Sequence, residues 1–397
     1  MNLNMRIGIN FHTMDRYISG VEYYCLDLLN GLLRIDPHNG YIIFTNHPDV
    51  VSQYVRPANN LSIIEVKHLK TRIARICWEH TQLPRLAIKE KLDVLHCPSY
   101  ICPLQKILVP FVVTIHDTIA IDYPQWCKKT NVLYFNLFMK AAAKNASCII
   151  TVSGHSAEDV KRNFDLPRSR IRTIHSGIDD IFNTSRDARQ ASRVKARYNL
   201  PDKYILYVGN IEPKKNIRTL LDVQKELSKK GLPHKLVIVG KRAWSAGPEL
   251  KEIKRQIASG NVVRTGYVNR SDLPYVYQMA DIFVFPSLYE GFGFPPLEAM
   301  ACGTPVIASN NGALSETISD AALIVEPQNS SQIVHAITLM LTDNQLRDRF
   351  IQKGLERSGQ YSWDKAAKQT LSIYREVSGI FQKEIKPTKF NLIKQGA

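Results

Sequence analysis

The chain has 397 residues, 44% of them hydrophobic and 22% charged, and its 52 Lys and Arg against 36 Asp and Glu give a formal net charge of +16. This composition is typical of a globular protein with room for two domains; it excludes disordered and fibrous chains, and no apolar run is long enough to span a bilayer. The basic excess predicts an anionic partner, either a phosphorylated ligand or an anionic membrane surface, and we expect no nucleic acid because no recognition motif for it is present.

The N-terminus and the cysteines predict a cytoplasmic protein. The opening MNLNMRIGINFH lacks the basic, apolar and small-residue segments of a signal peptide and leads directly into a strand pattern. The seven cysteines form no CxxC pair and no zinc-like spacing with histidines, which is typical of reduced thiols in a cytosol. Peripheral attachment to the cytoplasmic face of the inner membrane stays open beside this prediction.

Short β-branched and aromatic runs alternate with helical patterns along the whole chain, which predicts a parallel α/β architecture. Parallel sheets bind ligands beyond the carboxyl ends of their strands, so two such sheets facing each other would form a cleft. The predicted strands are MRIGINF (5–11), YIIFTN (41–46), DVLHCP (93–98), FVVTIHD (111–117), SCIITVS (147–153) and IRTIHSG (171–177), and then YILYVGN (204–210), KLVIVGK (235–241), VVRTGYV (262–268), DIFVFPS (281–287), TPVIASN (304–310) and ALIVEP (322–327).

The first loop, HTMDRYISGVEYY, places Gly20 directly before an amphipathic helical pattern. A glycine at the start of a helix can let backbone N–H groups approach a phosphate, or it can simply turn the chain. The signal is weak, because neither GxGxxG nor the P-loop spacing is present.

Two segments of the first half mix basic and apolar residues, KHLKTRIARICWEH (67–80) and WCKKTNVLYFNLFMKAAAK (126–144). Such segments suit peripheral contact with an anionic leaflet, and therefore a lipid-linked substrate. The alternative is that both are amphipathic helices packing on their own sheet.

His116 lies at the end of the predicted strand FVVTIHD, where its side chain would face the cleft. A histidine there could donate a hydrogen bond to a substrate oxygen. A lone histidine is more often a packed, hydrogen-bonded residue, and that alternative stays open.

The segment 181–201 is polar, charged and without a strand pattern, so we predict that it links two domains. We expect an N-terminal Rossmann-like domain at residues 1–185, a second Rossmann-like domain at 200–360, and a C-terminal helix with a basic tail at 361–397. The tail alternates Lys with apolar residues, and it would dock back on the first domain, touch lipid or remain frayed.

The segment GNIEPKKN (209–216) brings two lysines to a predicted helix start after Pro213. Basic side chains oppose the helix dipole at that end, which favours a role for Lys214 and Lys215 toward an anionic ligand such as phosphate. The alternative is a solvated, charged turn.

The segment YEGFGFPPLEAMACGTPV sets Glu290 and Glu298 around a glycine-rich loop that follows a predicted strand. Gly291 and Gly293 would let backbone come close to a ligand, and the prolines suit the first turn of a helix that Gly303 would end. We expect Glu298 in that first turn, beside free N–H groups, where a carboxylate could accept both hydroxyls of a ribose. On spacing alone, two glutamates that merely border a turn and a helix are an equal alternative.

No Asp-x-Asp pair occurs anywhere in the chain, and the adjacent Asp179 and Asp180 would point apart. A divalent ion bridging a diphosphate therefore has no evident ligands. We predict that the protein needs no metal and no other cofactor.

Four segments together, VVTIHD, YVGNIEPKKN, TGYVNRSDLPYVYQMADIFVFPS and YEGFGFPPLEAMACGTPVIAS with its E-x7-E pair, resemble the retaining glycosyltransferases of family 4. The likeness covers most of the chain and is strongest over 204–317. It implies the GT-B fold, in which two Rossmann-like doubly wound domains face each other across a cleft. It also implies transfer of a hexose from a nucleotide-sugar to an acceptor hydroxyl with the anomeric configuration kept, the first domain choosing the acceptor.

The resemblance implies a role for particular residues of this sequence. It gives catalytic roles to Glu290 beside the donor sugar, His116 near the reacting bond, and Lys215 on the phosphates. It gives substrate-binding roles to Glu298 at the ribose, Gly20 near the phosphates, Asn210, the loop residues Gly291, Phe292, Gly293 and Phe294 at sugar and phosphate, and Val268 beside the base.

One position departs from the family pattern. Many relatives carry Arg where this chain has Asn210, which donates only neutral and therefore weaker hydrogen bonds. Members with this variant of the motif look most like mannosyltransferases of surface polysaccharide and lipopolysaccharide assembly. On that basis we expect GDP-mannose as donor and a glycan or lipid-linked glycan as acceptor.

Two other functions stay open. The same architecture serves enzymes that use UDP-sugars for glucosyl or N-acetylglucosaminyl transfer, sugar-nucleotide epimerases, and phosphorylases with lysine-bound pyridoxal phosphate. A non-catalytic subunit that only binds nucleotide-sugars is the alternative from another class.

Overall fold

A computed structural model describes residues 4–379 except 13, 15–17, 67–70, 101 and 242–246. Two parallel sheets form its framework, with strand orders β3-β2-β1-β4-β5-β6-β7 and β10-β9-β8-β11-β12-β13. The strands are β1 Arg6–Phe11, β2 Gly40–Thr45, β3 Leu61–Glu65, β4 Val94–Cys97, β5 Phe111–Ile115, β6 Cys148–Thr151, β7 Ile171–Thr173, β8 Tyr204–Val208, β9 Lys235–Val239, β10 Val262–Gly266, β11 Ile282–Phe285, β12 Val306–Ala308 and β13 Leu323–Ile324.

Helices connect the strands. They are α1 Gly20–Ile35, α2 Pro48–Tyr54, α3 Arg72–Lys89, α4 Ile119–Asp122, α5 Lys129–Tyr134, α6 Lys140–Asn145, α7 Gly154–Phe164, α8 Ala188–Arg197, α9 Ile217–Lys229, α10 Gly247–Ala258, α11 Leu273–Gln278, α12 Phe294–Ala301, α13 Leu314–Thr317, α14 Ser330–Thr342, α15 Asn344–Ser358 and α16 Trp363–Val377, with a π-helical segment Phe135–Met139 between α5 and α6. Within the described ranges, none of them combines the length and the apolarity needed to cross a membrane.

The predicted α/β class with two doubly wound sheets is confirmed, and each of the twelve predicted strands has a counterpart. The structure adds β3, which pairs with β2 at the edge of the first sheet. Its residues are only partly buried or exposed, because an edge strand is covered less than a central one. The central strands β4, β5 and β6 are buried at every position, which is why their runs are easy to recognise in the sequence.

The segment predicted as a linker contains helix α8. Its last residue, Arg197, forms an ion pair with Asp272 at the start of α11, with 2.7 Å between Nη1 and Oδ2. Tyr198 donates a hydrogen bond to the same carboxylate. Most of the predicted linker is therefore packed beside the second sheet.

The chain returns to the first sheet at its C-terminal end. Helix α16 packs against α1, where a Cβ atom on Gly31 would lie 2.9 Å from the carbonyl oxygen of Trp363. Tyr374 of α16 is hydrogen-bonded to His96 of β4 at 2.6 Å. The two segments that pass between the sheets lie side by side, since the N–H of Ile178 donates to the carbonyl of Tyr361 at 3.2 Å. The basic tail from 380 onward lies outside the described residues.

Candidate active site

A cleft of about 690 Å³ lies between the carboxyl ends of the two sheets. Residues of both sheets line it, as expected for doubly wound domains that face each other. The structure brings all eleven predicted site residues to this cleft: Gly20, His116, Asn210, Lys215, Val268, Glu290, Gly291, Phe292, Gly293, Phe294 and Glu298.

The loop after β11 crosses the cleft and touches the first domain. A Cβ atom on Gly291 would lie 2.4 Å from the carbonyl oxygen of His116, so only glycine allows this approach. Gly293 has a φ of +103° and immediately precedes α12. The hydroxyl of Ser156 on α7 donates to the His116 carbonyl at 2.8 Å and completes the junction.

Glu290 and Lys215 form a buried ion pair in the cleft. The Lys215 Nζ lies 2.5 Å from Glu290 Oε1, and the Ser287 hydroxyl donates to the same oxygen at 2.6 Å. Burial alone would raise the pKa of Glu290, but the charges of Lys215 and Lys214 and the two hydrogen bonds outweigh it and lower that pKa. The carboxylate is therefore ionised and held in one orientation.

Lys214 adds a second positive charge beside this pair. Its burial works against the charged form, yet the carboxylates of Glu290, Asp117 and Glu212 hold the pKa of Lys214 above its ordinary value. Two lysines and several carboxylates thus share one side of the cleft. The two lysines lie in a 3-10 turn, Pro213–Lys215, and not at a helix start after Pro213 as the sequence predicted, because α9 begins only at Ile217. A diphosphate entering here would meet two cations.

Glu298 lies on α12. The sequence predicted it in the first turn of this helix, and that prediction is wrong. The helix begins at Phe294, before the two prolines, which moves Glu298 into the second turn. Its Oε2 accepts a hydrogen bond from the Tyr277 hydroxyl at 2.9 Å. Burial raises the pKa of Glu298 to about 7, although Arg270 acts in the opposite direction.

His116 is neutral and already uses its N–H group. Burial lowers its pKa to about 4, and its Nε2 lies 2.8 Å from the carbonyl oxygen of Pro98, which can only accept. The ring is held edge-on by Tyr24 and Tyr100, with centroids 4.6 and 5.2 Å away. The predicted role as a donor to a substrate oxygen is therefore not available to this ring, which can accept a hydrogen bond through Nδ1.

The remaining predicted residues frame the cleft in different ways. Gly20 begins α1, and a Cβ atom on it would meet nothing within 4 Å, so the space beside it is open. Asn210 is exposed, while Val268 is buried with 4% of its surface accessible. Next to Val268, the Tyr267 hydroxyl lies 3.1 Å from that of Tyr23 on α1.

Arg270 is a cleft residue that the sequence reasoning missed. It forms ion pairs with Asp27 of α1 at 2.5 Å and with Asp179 at 2.9 Å, and its guanidinium lies 3.9 Å from the Tyr23 ring centroid. Burial raises the pKa of Asp27 to about 6 against the effect of Arg270. No short motif contains these partners, so this interdomain bridge could not be predicted from a local pattern.

A second interdomain contact lies behind the loop between β11 and α12. The carboxylate of Glu316 on α13 accepts from the backbone N–H groups of Gly154 and His155, at 2.8 and 3.2 Å, and pairs with His175 Nε2 at 2.5 Å. Burial opposes ionisation, but these donors outweigh it and lower the pKa of Glu316 to about 2. This carboxylate thus caps α7 of the first domain from the second domain.

Among the residues that the structure describes, no three His, Cys, Asp or Glu side chains are grouped so that they could hold a metal ion. The metal independence inferred from the sequence stays a prediction.

The chain matches two family models. One, described as Glycosyl transferases group 1, matches residues 188–357, and the other, described as Glycosyltransferase Family 4, matches residues 18–181. The two matches correspond to the second and the first sheet with their helices.

Two proteins of Escherichia coli are similar in sequence. The O-antigen chain mannosyltransferase B is 33% identical over 371 residues, which cover 90% of this chain and 96% of that protein. The serotype-specific mannosyltransferase WbdA is 30% identical over 282 residues, which cover 68% of this chain but only 34% of WbdA.

A solved structure shows the same fold. The sucrose-phosphate synthase of Thermosynechococcus elongatus superposes with a TM-score of 0.75 over 96% of this chain and 100% of that one, at 22% identity. The likeness confirms the predicted GT-B fold.

Proposed function

The chain belongs to the glycosyltransferases of group 1 and family 4, and from this premise we propose that it moves mannose from GDP-mannose to a hydroxyl of a glycan or lipid-linked glycan, with retention of the anomeric configuration. The observation that carries the proposal is that Lys215, Glu290 and Glu298 line one cleft, where Lys215 and Glu290 are paired. The mannosyltransferases among its relatives support the choice of donor.

The geometry supports binding of different parts of the donor by different residues. The diphosphate would lie against Lys214 and Lys215 in the 3-10 turn before α9, and its negative charge would compete with Glu290 for Lys215. Glu290, released in part, would accept hydrogen bonds from the sugar hydroxyls. Glu298, beside the Tyr277 hydroxyl, would accept from the ribose.

The chemical step needs a stabilised leaving group rather than a strong base. The bond between the anomeric carbon and the phosphate oxygen breaks, and its electron pair leaves with the diphosphate. The acceptor oxygen bonds to the same face of the sugar, and its proton passes to the departing phosphate. Positive charge already fixed at Lys214 and Lys215 would stabilise the developing charge without further reorganisation. The two domains exclude water and align acceptor with donor.

Donor identity is tested by thermal unfolding with GDP, UDP and ADP. Because a ligand that binds only the folded protein raises the melting temperature, GDP should stabilise the protein most. Stabilisation by UDP but not by GDP would replace the proposed donor with a UDP-sugar. Incubation with GDP-mannose and octyl α-mannoside then tests transfer itself, and the one-bond carbon–hydrogen coupling at the new anomeric centre tests retention. Binding of GDP without any turnover would favour a non-catalytic nucleotide-sugar-binding subunit.

We also propose that the protein works at the cytoplasmic face of a membrane on a lipid-linked acceptor. Leu133 of α5 and Leu137 of the π segment are 61% and 58% exposed. Exposed lysines flank them, namely Lys128, Lys129, Lys140 and Lys144. An apolar strip among cations suits the headgroup region of an anionic leaflet.

Co-sedimentation with vesicles of anionic and neutral lipids tests this surface. The protein should bind anionic vesicles at low salt, and changing Leu133 and Leu137 to Ser should weaken binding. The matched control is Ile257→Ser, since Ile257 is 43% exposed on α10 of the other domain. Equal binding by all three proteins, or none by the unmodified protein, would remove the membrane proposal.

A further inference from the structure

A second group of polar side chains lies at the carboxyl edge of the first sheet. Asn10 belongs to β1 and His12 follows it, while Arg75, Trp78 and Glu79 come from α3. The His12 Nδ1 lies 3.6 Å from Glu79 Oε1, and the ring centroids of His12 and Trp78 are 4.4 Å apart. The three α3 residues are spaced three and four apart, which places them on one side of the helix.

These side chains are buried without satisfying one another. Glu79 is 0% exposed, Asn10 1% and His12 3%. Within the described part of the chain, no hydrogen-bond partner is present for Asn10 Nδ2, His12 Nδ1, Arg75 Nε or either carboxylate oxygen of Glu79. The 3.6 Å separation between His12 Nδ1 and Glu79 Oε1 is too long for a hydrogen bond.

Unpaired buried polar groups are unfavourable, so their concentration here needs a physical reason. Burial raises the pKa of Glu79, although His12 and Arg75 act in the opposite direction. A fold that only needed a stable core would place apolar side chains at these positions. The arrangement is typical of a site whose partners arrive with a ligand.

The group lies to one side of the reaction centre. His12 follows β1 and His116 follows β5, and β4 lies between these two strands. Two strand spacings correspond to about 10 Å across the sheet. Tyr100, which follows β4 with a φ of +63°, stands between the two places and packs on His116.

We propose that Asn10, Arg75 and Glu79, with the Trp78 ring, bind the second sugar residue of the acceptor glycan, while the residue that receives mannose lies near His116. The inference rests on the proposed glycosyl transfer. Each sugar hydroxyl could donate to a Glu79 oxygen and accept from Asn10 Nδ2 or Arg75 Nε, and the apolar face of the ring could pack on the indole. Arg75 and Trp78 are only partly buried, so the sugar would reach Glu79 by displacing the indole.

Acceptor length provides the test. With GDP-mannose as donor, octyl α-mannobioside should be a better acceptor than octyl α-mannoside by roughly tenfold in kcat/KM, as charged hydrogen bonds to the second ring would give. Glu79→Gln should lose most of that preference through a raised KM for the disaccharide. The matched control is Glu249→Gln on α10, which also has an unpartnered carboxylate oxygen and should keep the preference.

Stability separates a binding site from a structural ion pair. If Glu79 serves the acceptor, Glu79→Gln should melt at the same or a higher temperature, because neither oxygen of the buried Glu79 carboxyl group has a hydrogen-bond partner to lose. A lower melting temperature with the acceptor preference unchanged would show that Glu79 only supports the fold, and it would overturn the inference while leaving the proposed transfer intact.

Failure of the proposed transfer is recognised separately. If neither acceptor receives mannose, binding of α-mannobiose is followed by tryptophan fluorescence. A signal in the unmodified protein that is lost in Trp78→Phe and weakened in Glu79→Gln would support the sugar site. No saturable signal, or one that all the variants retain, would overturn it.

Discussion

At the scale of single residues, the pairing of Lys215 with Glu290 determines what the cleft presents to a donor. The ammonium and the carboxylate share a buried contact of 2.5 Å that Ser287 reinforces. Breaking a buried pair leaves an uncompensated charge, so a ligand must replace the lost partner. A diphosphate can do this for Lys215, and sugar hydroxyls can do it for Glu290.

Lys215→Ala should lower transfer sharply while the protein stays folded. Loss of one preorganised group that stabilises developing charge typically lowers kcat by ~10²–10³-fold. The measurement is initial-rate transfer from GDP-mannose, with circular dichroism to check folding. Lys229→Ala at the exposed end of α9 is the control and should be unaffected. A Lys215→Ala enzyme with ordinary turnover would contradict the role given to this lysine.

Glu298 should make nucleotide binding depend on pH. Its pKa is about 7, and only the ionised carboxylate accepts hydrogen bonds from both ribose hydroxyls. GDP affinity should therefore rise by roughly tenfold between pH 6 and pH 8, as the ionised fraction does. Because folding raises this pKa from 4.5, the folded protein holds the proton of Glu298 more tightly than the unfolded chain does. The unliganded protein therefore gains stability from the protonated form below pH 4.5 and should lose that stability as the pH rises through 7.

Calorimetric titration of GDP at several pH values measures this dependence. Glu298→Gln cannot ionise at this position, so its affinity for GDP should be lower and should no longer follow this transition. An unchanged pH dependence in the variant would assign the effect to another group.

Site residues could be predicted from the sequence only where they lie together in one short segment. Glu290, Glu298 and Lys215 stand in glycine- and proline-rich segments after strands, and parallel strands bring such segments to one edge. Arg270 and Asp27 lie 243 positions apart, so only the packed domains bring them together. The hydrogen bond of His116 to Pro98 likewise depends on the neighbouring strand, and it reversed the role inferred for that ring.

At the scale of elements, close backbone contacts restrict which side chains the loop between β11 and α12 can carry. Gly291 touches the carbonyl of His116, and the backbone of Glu290 is approached by Gly312, where a Cβ atom would lie 2.5 Å from its oxygen. Backbone therefore packs on backbone at two adjacent residues of the loop, Glu290 and Gly291. The position of Glu290 is set by these contacts as well as by its ion pair.

Gly291→Ala should impair the enzyme through this packing. The added methyl group would lie 2.4 Å from the His116 oxygen, so the loop or the end of β5 must shift. Overpacking of this kind costs about 1–3 kcal/mol, and the shift would misplace Glu290. Urea unfolding and transfer rates measure the two effects. Gly247→Ala is the control, because a Cβ atom there meets nothing within 4 Å and should change neither.

The sequence predicted elements well where burial is complete and less well at edges and ends. The central strands form continuous apolar runs, but β3 lies at a sheet edge with no buried residue and was not predicted. Helix α8 has only two buried residues, Ala191 and Val194, so its segment resembled a polar linker. Helix α12 begins one residue before its first proline, since Phe294 already adopts helical geometry after Gly293, and this one-residue difference places Glu298 in the second turn.

At the scale of the whole molecule, the two domains meet through charged contacts on both sides of the active-site loop. Arg270 with Asp27 forms one contact, and Glu316 with the start of α7 forms the other. Tyr289 adds a hydrogen bond to Asp159 on α7 at 2.8 Å. The closed cleft is thus stabilised by polar pairs together with apolar side chains of both domains, which belong to one buried cluster.

Glu316→Gln should weaken the contact between the domains in a pH-dependent way. The pKa of Glu316 is about 2 in the folded protein against an ordinary 4.5, so its contribution is complete above pH 4.5 and disappears as the pH falls toward 2. At pH 7 the variant should be less stable by roughly 1–2 kcal/mol, allowing for the partial exposure of the carboxylate.

Chemical denaturation at pH 7 and at pH 3 measures the difference between the two proteins, which should shrink at the lower pH. Glu326→Gln, on the second domain and away from α7, is the control. A variant as stable as the unmodified protein at pH 7 would show that Glu316 holds no domain contact.

The paired crossing at Ile178 and Tyr361 has a mechanical consequence. Two covalent tethers joined by a hydrogen bond of 3.2 Å, and packed so closely that a Cβ atom on Gly177 would lie 2.2 Å from the Trp363 nitrogen, form a narrow hinge. Such a hinge leaves the domains one easy motion, a rotation about the axis of the crossing, while sliding and twisting would strain both tethers. The cleft would therefore open and close along a single path, and each closure would return Glu290 and His116 to the same relative position.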